Sequence, residues 1–332
     1  MEKTPLFLFY EEPDPDRWFP YDRHLRRLVR RLVRGPYQPG GVMRWFLNLR
    51  TGLDHLGIPY RLNDYRGLRR YPGATAHVVG KPHVIEKIPA GHPIVYGPGV
   101  SAHPFEDTFW DRAEIALILL SCDWFKAMYD QDLSTPIPTA VWPAGVETDL
   151  WMPSSNADPR RVLVYDKIRW DRERYEPQLL EPIRQRLSAE GFMVEYLRYG
   201  DYVEEDYRNS LKRVSAMIFL CEHETQGFAY LQALSSGVPI FAWDRAGEWQ
   251  DPSMYPHRVR FGPVSSVPYW DHRCGEKFKN LTEFESRLPL FIRSLSSQSY
   301  QPRDYVTENF NLAERARAYL RIATQEGEKV NQ

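Results

Sequence analysis

The 332-residue chain carries 43 Lys plus Arg against 44 Asp plus Glu, a net charge of −1, so no global field draws it to nucleic acid or another polyanion. With 42% hydrophobic and 26% charged residues it is neither disordered nor fibrous, and at roughly 150 residues per domain its length predicts two domains. Three cysteines, Cys122, Cys221 and Cys274, are too few and too scattered for a disulfide framework or a clustered metal site, and they fit a reducing, cytoplasmic setting.

The first apolar run, at 6–10, is shorter than the apolar core of a signal peptide and reads as a strand. After it, the stretch RHLRRLVRRLVR places Leu25, Leu28, Val29, Leu32 and Val33 at helical spacing between Arg23, Arg26, Arg27, Arg30, Arg31 and Arg34. Such a helix either buries its stripe inside a domain or lies on an anionic membrane, where each basic residue contributes about 1 kcal/mol. The second reading gives a protein peripheral on a membrane with a lipid-linked acceptor. An acidic glycan or nucleic-acid acceptor also fits the charge, although the balance of the whole chain leads us to expect no nucleic-acid partner.

Gly40 and Gly41 open a helix at 42–56, and because neither has a side chain the backbone there can approach a phosphate or an acceptor. Strands follow at 76–79, 94–97 and 115–120, the last too short to span a bilayer. VWPAGVETDLWMP and the turn-rich SSNADPRR then mark a boundary near residue 155. Beyond it, strands at 162–165, 193–199, 216–221, 238–243 and 259–261 alternate with helices at 175–189, 207–214 and 228–236. The chain closes on a helix at 312–324, with Asn311 placed to cap it. The class is α/β, with two parallel sheets. The 14% aromatic content, including 10 Trp and 20 Tyr, suits stacking on sugars and bases as well as packing.

The stretch AMIFLCEHETQGFAYLQALSSGVPIFAWD, 216–244, carries the chemistry. A buried strand ends at Cys221, an acidic loop holds Glu222 and Glu224, Gly227 opens a helix, and Gly237-Val238-Pro239 starts the next strand. In an open α/β sheet ligands lie beyond the carboxyl ends of strands, where a helix N-terminus offers N–H groups and a positive dipole end to phosphate. No Walker-type loop, zinc spacing or Ser-His-Asp signature competes with this reading.

This stretch resembles the family 4 glycosyltransferases of the GT-B fold, in which a Glu and a second Glu flank seven residues across the loop and helix. Here the pair is Glu224 and Gln232. The resemblance implies two Rossmann-like domains facing each other across a cleft: 1–154 on the acceptor side, 155–310 on the donor side, and a C-terminal helix, 311–332, returning to the first. It implies that Glu224 meets donor-sugar hydroxyls and that Gln232 stands where the family's second Glu holds the ribose. A Gln amide offers one acceptor oxygen and two donor hydrogens where a carboxylate offers two acceptor oxygens, so the departure touches ribose binding, the donor or activity itself.

Other stretches match in order. WPAGVETDLWMP, with Gly145, Val146 and Glu147, is similar to the family's Gly-Val-Asp hinge motif. RVLVYDKIRWDRERYEP stands where the family has a basic residue at a strand end and another a turn later, which implies Lys167 and then Arg172 for the diphosphate, with Arg169 and Arg174 as rivals. Tyr199-Gly200-Asp201 resembles the loop bordering the nucleobase, and Gln226, Gly227 and Phe228 line the donor side. Gly40 and Gly41 resemble the opening glycine loop. For the family's sugar-contacting His, Gly97 stands near the expected place and His103 is the substitute.

The implied activity is transfer of a hexose from a nucleoside diphosphate sugar to an acceptor hydroxyl with retention, with Glu224, Lys167 and Arg172 in the catalytic set. No metal and no cofactor beyond the donor substrate is expected. An epimerase of the same fold, or a non-catalytic nucleotide- or glycan-binding partner protein, are the alternatives.

Overall fold

The computed structural model describes residues 4–13 and 40–330, the last six as backbone alone. The arginine-rich segment 23–34 lies outside the described residues. The chain divides into two compact units, Met1–Leu120 with Tyr129–Trp142 and Ala316–Gln332, and Ser121–Met128 with Pro143–Arg315.

The first unit is built on β1 (Leu6–Phe9), α1 (Gly41–His55), β2 (Tyr60–Leu62), α2 (Tyr65–Leu68), β3 (Ala76–Val78), β4 (Ile94–Tyr96), β5 (Ile115–Leu120), the part of α3 (Asp123–Asp132) from Tyr129 onward, and β6 (Thr139–Val141). Its six strands are all parallel in the order β2-β1-β3-β4-β5-β6. All six residues of β5 are buried, as an uninterrupted apolar run requires when both faces of a parallel strand are covered. α1 buries Trp45, Phe46, Leu49 and Leu53 along one stripe, the i, i+3, i+4 spacing of a helix lying on a core. At the other end of the chain, Tyr319 lies against His77, Nδ1 to Oη 3.1 Å, and edge-on to Trp142. Burial lowers the His77 pKa to about 4, so this ring is neutral at ordinary pH.

The second unit contains β7 (Asp158–Lys167), α4 (Arg172–Tyr175) running through a π turn into α5 (Glu181–Ala189), β8 (Met193–Arg198), α6 (Glu204–Leu211), β9 (Val214–Cys221), α7 (Phe228–Ser235), β10 (Ile240–Trp243), β11 (Gly275–Phe278), α8 (Leu281–Ser296) and α9 (Pro302–Asn309); the closing helix α10 (Leu312–Val330) belongs to the first unit from Ala316 onward. The five strands are parallel in the order β11-β10-β9-β7-β8. The sheet separates two cores with the period of two that strands impose. Tyr165, Met217, Phe219 and Cys221 pack with Tyr230 and Leu234 of α7, while Val164, Ile218 and Leu220 pack on the other face with Ile183, Leu187 and Leu288. Each such side chain removed from water contributes roughly 1.5–3 kcal/mol.

The fifth strand expected at 259–261 is not one. That segment is irregular chain held by the bonds Val259 N to Met254 O, 3.1 Å, and Trp249 N to Phe261 O, 2.8 Å. Gly275–Phe278 takes the place beside β10, and its sequence GEKF hides the apolar signal because only Gly275 and Phe278 are buried. β2 and β6 escaped the sequence reading for the same reason, since each has three residues and none fully buried. No described helix is long and apolar enough to cross a membrane.

Candidate functional site

Strand order fixes where a ligand belongs. In a doubly wound sheet it binds beyond the carboxyl ends of the strands, where the order reverses. In the second unit that point lies between β7 and β9, whose last register pair sets Lys167 beside Cys221. Lys167 and the loop 222–227 therefore leave the sheet side by side, although 57 residues separate Lys167 from Glu224.

The Lys167 ammonium forms an ion pair and hydrogen bond with Glu224 Oε1, and the two side chains are 12% and 13% exposed. Burial works against the ammonium most strongly, but the Glu224 carboxylate together with Cys221 and Tyr199 outweighs it and holds the pKa above the ordinary lysine value. Glu224 itself is fixed through its backbone, its N–H donating to Ser265 O at 2.9 Å and its carbonyl accepting from Trp124 Nε1 at 3.0 Å. Tyr199, 53% exposed, places its ring 4.3 Å from Lys167 Nζ, and Gly200 continues the turn from there.

Helix α7 begins at the same edge. Its N-cap, Gly227, has φ +67°, and a Cβ there would lie 2.1 Å from the Tyr230 ring, so no other residue fits without displacing a buried aromatic. No side chain caps this end. Phe228 opens the helix half-buried, and Gln232 one turn on is 6% exposed with no hydrogen-bond partner for its amide among the described residues. Gln226 is used differently. Its Oε1 accepts from Ala144 N at 3.1 Å and its Nε2 donates to Ala144 O at 3.4 Å, so this amide ties the loop to the segment 143–147.

Arg172 is not brought together with Lys167. Side chains alternate along β7, so Asp166 points to the opposite face from Lys167, and Arg172 follows it there. Its Nη2 donates to Asp166 Oδ2 at 2.8 Å and its Nε pairs with Glu176 at 3.1 Å. The bond to Asp166, against some burial, raises the Arg172 pKa. Arg174 pairs with Asp171 at 3.6 Å. Arg169 differs from both: it is exposed, forms no ion pair among the described residues, and rests its guanidinium 4.5 Å from the Trp170 ring centroid.

In the first unit Gly40 caps α1 and Gly41 begins it, and a Cβ on either would meet nothing within 4 Å. Gly97 serves the backbone path, since a Cβ there would lie 2.1 Å from Leu119 O. His103 is fully buried, with Nε2 2.9 Å from Asp132 Oδ2 and Nδ1 accepting from Phe105 N at 3.3 Å. With both ring nitrogens engaged inside the unit, His103 presents no free edge to a sugar.

A cavity of about 520 Å³ opens at the amino edge of the second sheet, between Pro153, Arg160, Phe192, Gly237 and Tyr300. None of the residues above lines it, and the amino edge is the wrong end of a parallel sheet for a phosphate. Among the described residues no group of three His, Cys, Asp or Glu side chains could hold a metal ion.

No family model matches the chain, and no curated protein matches it. Among solved structures it is similar to HepE of Anabaena in complex with UDP and glucose, at 10% identity over 97% of this chain and 100% of that one, with a TM-score of 0.55. The fold is GT-B. The lipopolysaccharide outer core galactosyltransferase WaaB shows the same GT-B likeness at 10% identity, covering 97% and 100% of the two chains with a TM-score of 0.50. TarM aligns at 11% identity over 77% of this chain with a TM-score of 0.50, and the chain spans 57% of its length.

Proposed function

We propose that this GT-B chain transfers a sugar from a nucleoside diphosphate sugar to an acceptor hydroxyl with retention, residues 155–310 holding the donor and residues 1–154 facing the acceptor. The observation that carries the reading is the Lys167–Glu224 pair, set by the strand reversal at the mouth of an uncapped helix on which Gln232, a buried residue, has no amide partner among the described residues. HepE, similar in fold, was crystallised with UDP and with UDP-glucose, which makes UDP the first probe.

The bond from the sugar's anomeric carbon to the diphosphate breaks, the acceptor oxygen bonds to that carbon from the same face, and the acceptor proton passes to the leaving diphosphate. Charge accumulates on the diphosphate, and Lys167, the α7 N-terminus and a second cation answer it. With Arg172 committed to Asp166 and Glu176, Arg169 is the better-placed second cation. Glu224 takes the sugar hydroxyls, and Tyr199 with Gly200 borders the base. A thermal-shift series with UDP, GDP, ADP and TDP tests the reading, because a ligand of the native state raises the melting temperature. UDP should give the largest rise, and no rise with any of the four would overturn the proposal.

Gln232 keeps a non-catalytic nucleotide-binding role as the second reading. An epimerase is separated from both by consuming donor without acceptor. In the proposed site Gln232→Glu lowers the melting temperature of the free protein, because a buried carboxylate gains no partner. It should also tighten UDP about fivefold, charge-assisted hydrogen bonds being the stronger kind. Calorimetry giving weaker or unchanged affinity would remove Gln232 from the ribose site.

A further inference from the structure

Glu222 is fully buried immediately after β9, two residues before Glu224. Its carboxylate accepts two backbone N–H groups of the loop after β7: Oε1 takes Trp170 N at 2.9 Å and Arg169 N at 3.0 Å, and Oε2 stands 3.1 Å from Arg169 N. The next residue adds a second hold on the same loop, the His223 ring stacking on Trp170 at 4.7 Å and 23°. His223 is in turn wedged against Trp124 at 5.7 Å and accepts from Gln250 N at 3.3 Å, so it cannot follow the loop if the loop moves. Burial pushes the Glu222 pKa up, and the Trp170 and Arg169 N–H groups and the Arg245 charge pull against that.

No Lys or Arg forms an ion pair with Glu222 among the described residues. A buried carboxylate satisfied by backbone N–H groups fixes chain path, because each N–H must point inward to satisfy it. The consequence falls on Arg169. Its N–H is turned into Glu222 while its side chain emerges exposed over Trp170, at the same strand end as Lys167.

We infer that Glu222, with His223, is a positioning clamp that holds the 168–170 loop so that Arg169 faces the donor diphosphate. The inference rests on the donor reading above for its ligand and on geometry alone for the clamp. Glu222→Gln keeps the shape of the side chain and removes its charge. Hydrogen exchange of the Arg169 and Trp170 amides in the ligand-free protein should then accelerate about tenfold, with the amides of β9 unchanged. Exchange at both amides equal to wild type overturns the clamp.

Calorimetry reads the functional half with UDP, inorganic pyrophosphate and uridine. Glu222→Gln and Arg169→Ala should each weaken UDP and pyrophosphate about tenfold and leave uridine unchanged, and the double variant should lose no more than the larger single loss. Losses that add, or an equal loss for uridine, overturn action through Arg169. A wild-type chain that binds neither UDP nor pyrophosphate overturns the donor reading and the affinity role together, and the exchange rates still decide the clamp by themselves.

Discussion

Lys167→Ala is expected to slow sugar transfer by on the order of a hundredfold or more, the loss seen when one preorganised group facing transition-state charge is removed. Lys167 is the one cation that β7 delivers to the reversal point on the α7 face, and its ammonium is already held in place by Glu224. The same change leaves the Glu224 carboxylate largely buried without its cation, which costs about 3 kcal/mol when one partner of a buried pair is lost. Two readouts follow. The rate at saturating donor falls, and so does the urea midpoint. Removing both partners, Lys167→Ala with Glu224→Ala, should recover much of the midpoint and none of the rate. Recovery of transfer in the double variant, or full transfer in the single one, contradicts the assignment of Lys167 to the diphosphate.

Gly227→Ala carries the second large effect, and its origin is steric. A left-handed backbone costs an L-residue about 1–2 kcal/mol, and here the added carbon would also stand 2.1 and 2.4 Å from two Tyr230 ring atoms. Tyr230 cannot swing aside. Its ring is fully buried, and its hydroxyl accepts from Tyr269 N at 3.1 Å. The two costs together exceed about 3 kcal/mol, overpacking of a filled core contributing the larger share. Gly191 is the control, with φ +81° and nothing within 4 Å of its Cβ position, so Gly191→Ala should show the backbone cost alone. Equal shifts of the urea midpoint in the two variants would refute the packing argument. Because Gly227 opens the helix proposed to face the donor, its variant should also lose UDP binding at temperatures where it remains folded.

Local pattern carried the reading of the site a long way. The strand at 216–221, the acidic loop, Gly227 and Gln232 are neighbours in the chain, and hydrogen bonds between near residues build the helix that carries Gln232, while Ser265, Trp124 and Ala144 hold the loop before it. The buried run of β5 and the stripe of α1 were legible for the same reason. The basic cluster 167–174 was visible as four cations, and the resemblance ranked Lys167 and then Arg172 ahead of Arg169 and Arg174; nothing in local sequence says which carboxylates stand nearby. Asp166 and Glu176 take Arg172, Asp171 takes Arg174, Glu224 takes Lys167, and Arg169 is left. His103 stood as the substitute for a sugar-contacting histidine, and only the fold brings Asp132 and Phe105 to its ring nitrogens.

By itself the sequence determined the α/β class, the alternation of strands and helices in both halves, and the loop and helix that bear Glu224 and Gln232. Those depend on periodicity and on residues within a turn or two of each other. The tertiary structure alone decided strand order, the choice of Gly275–Phe278 over 259–261 as the edge strand, the meeting of Lys167 with Glu224, and the capture of the Arg169 backbone by Glu222. Each of these brings together groups tens of residues apart. Their pairing is set by which faces of the sheet are buried and by where buried charges find partners, and neither is written in local spacing.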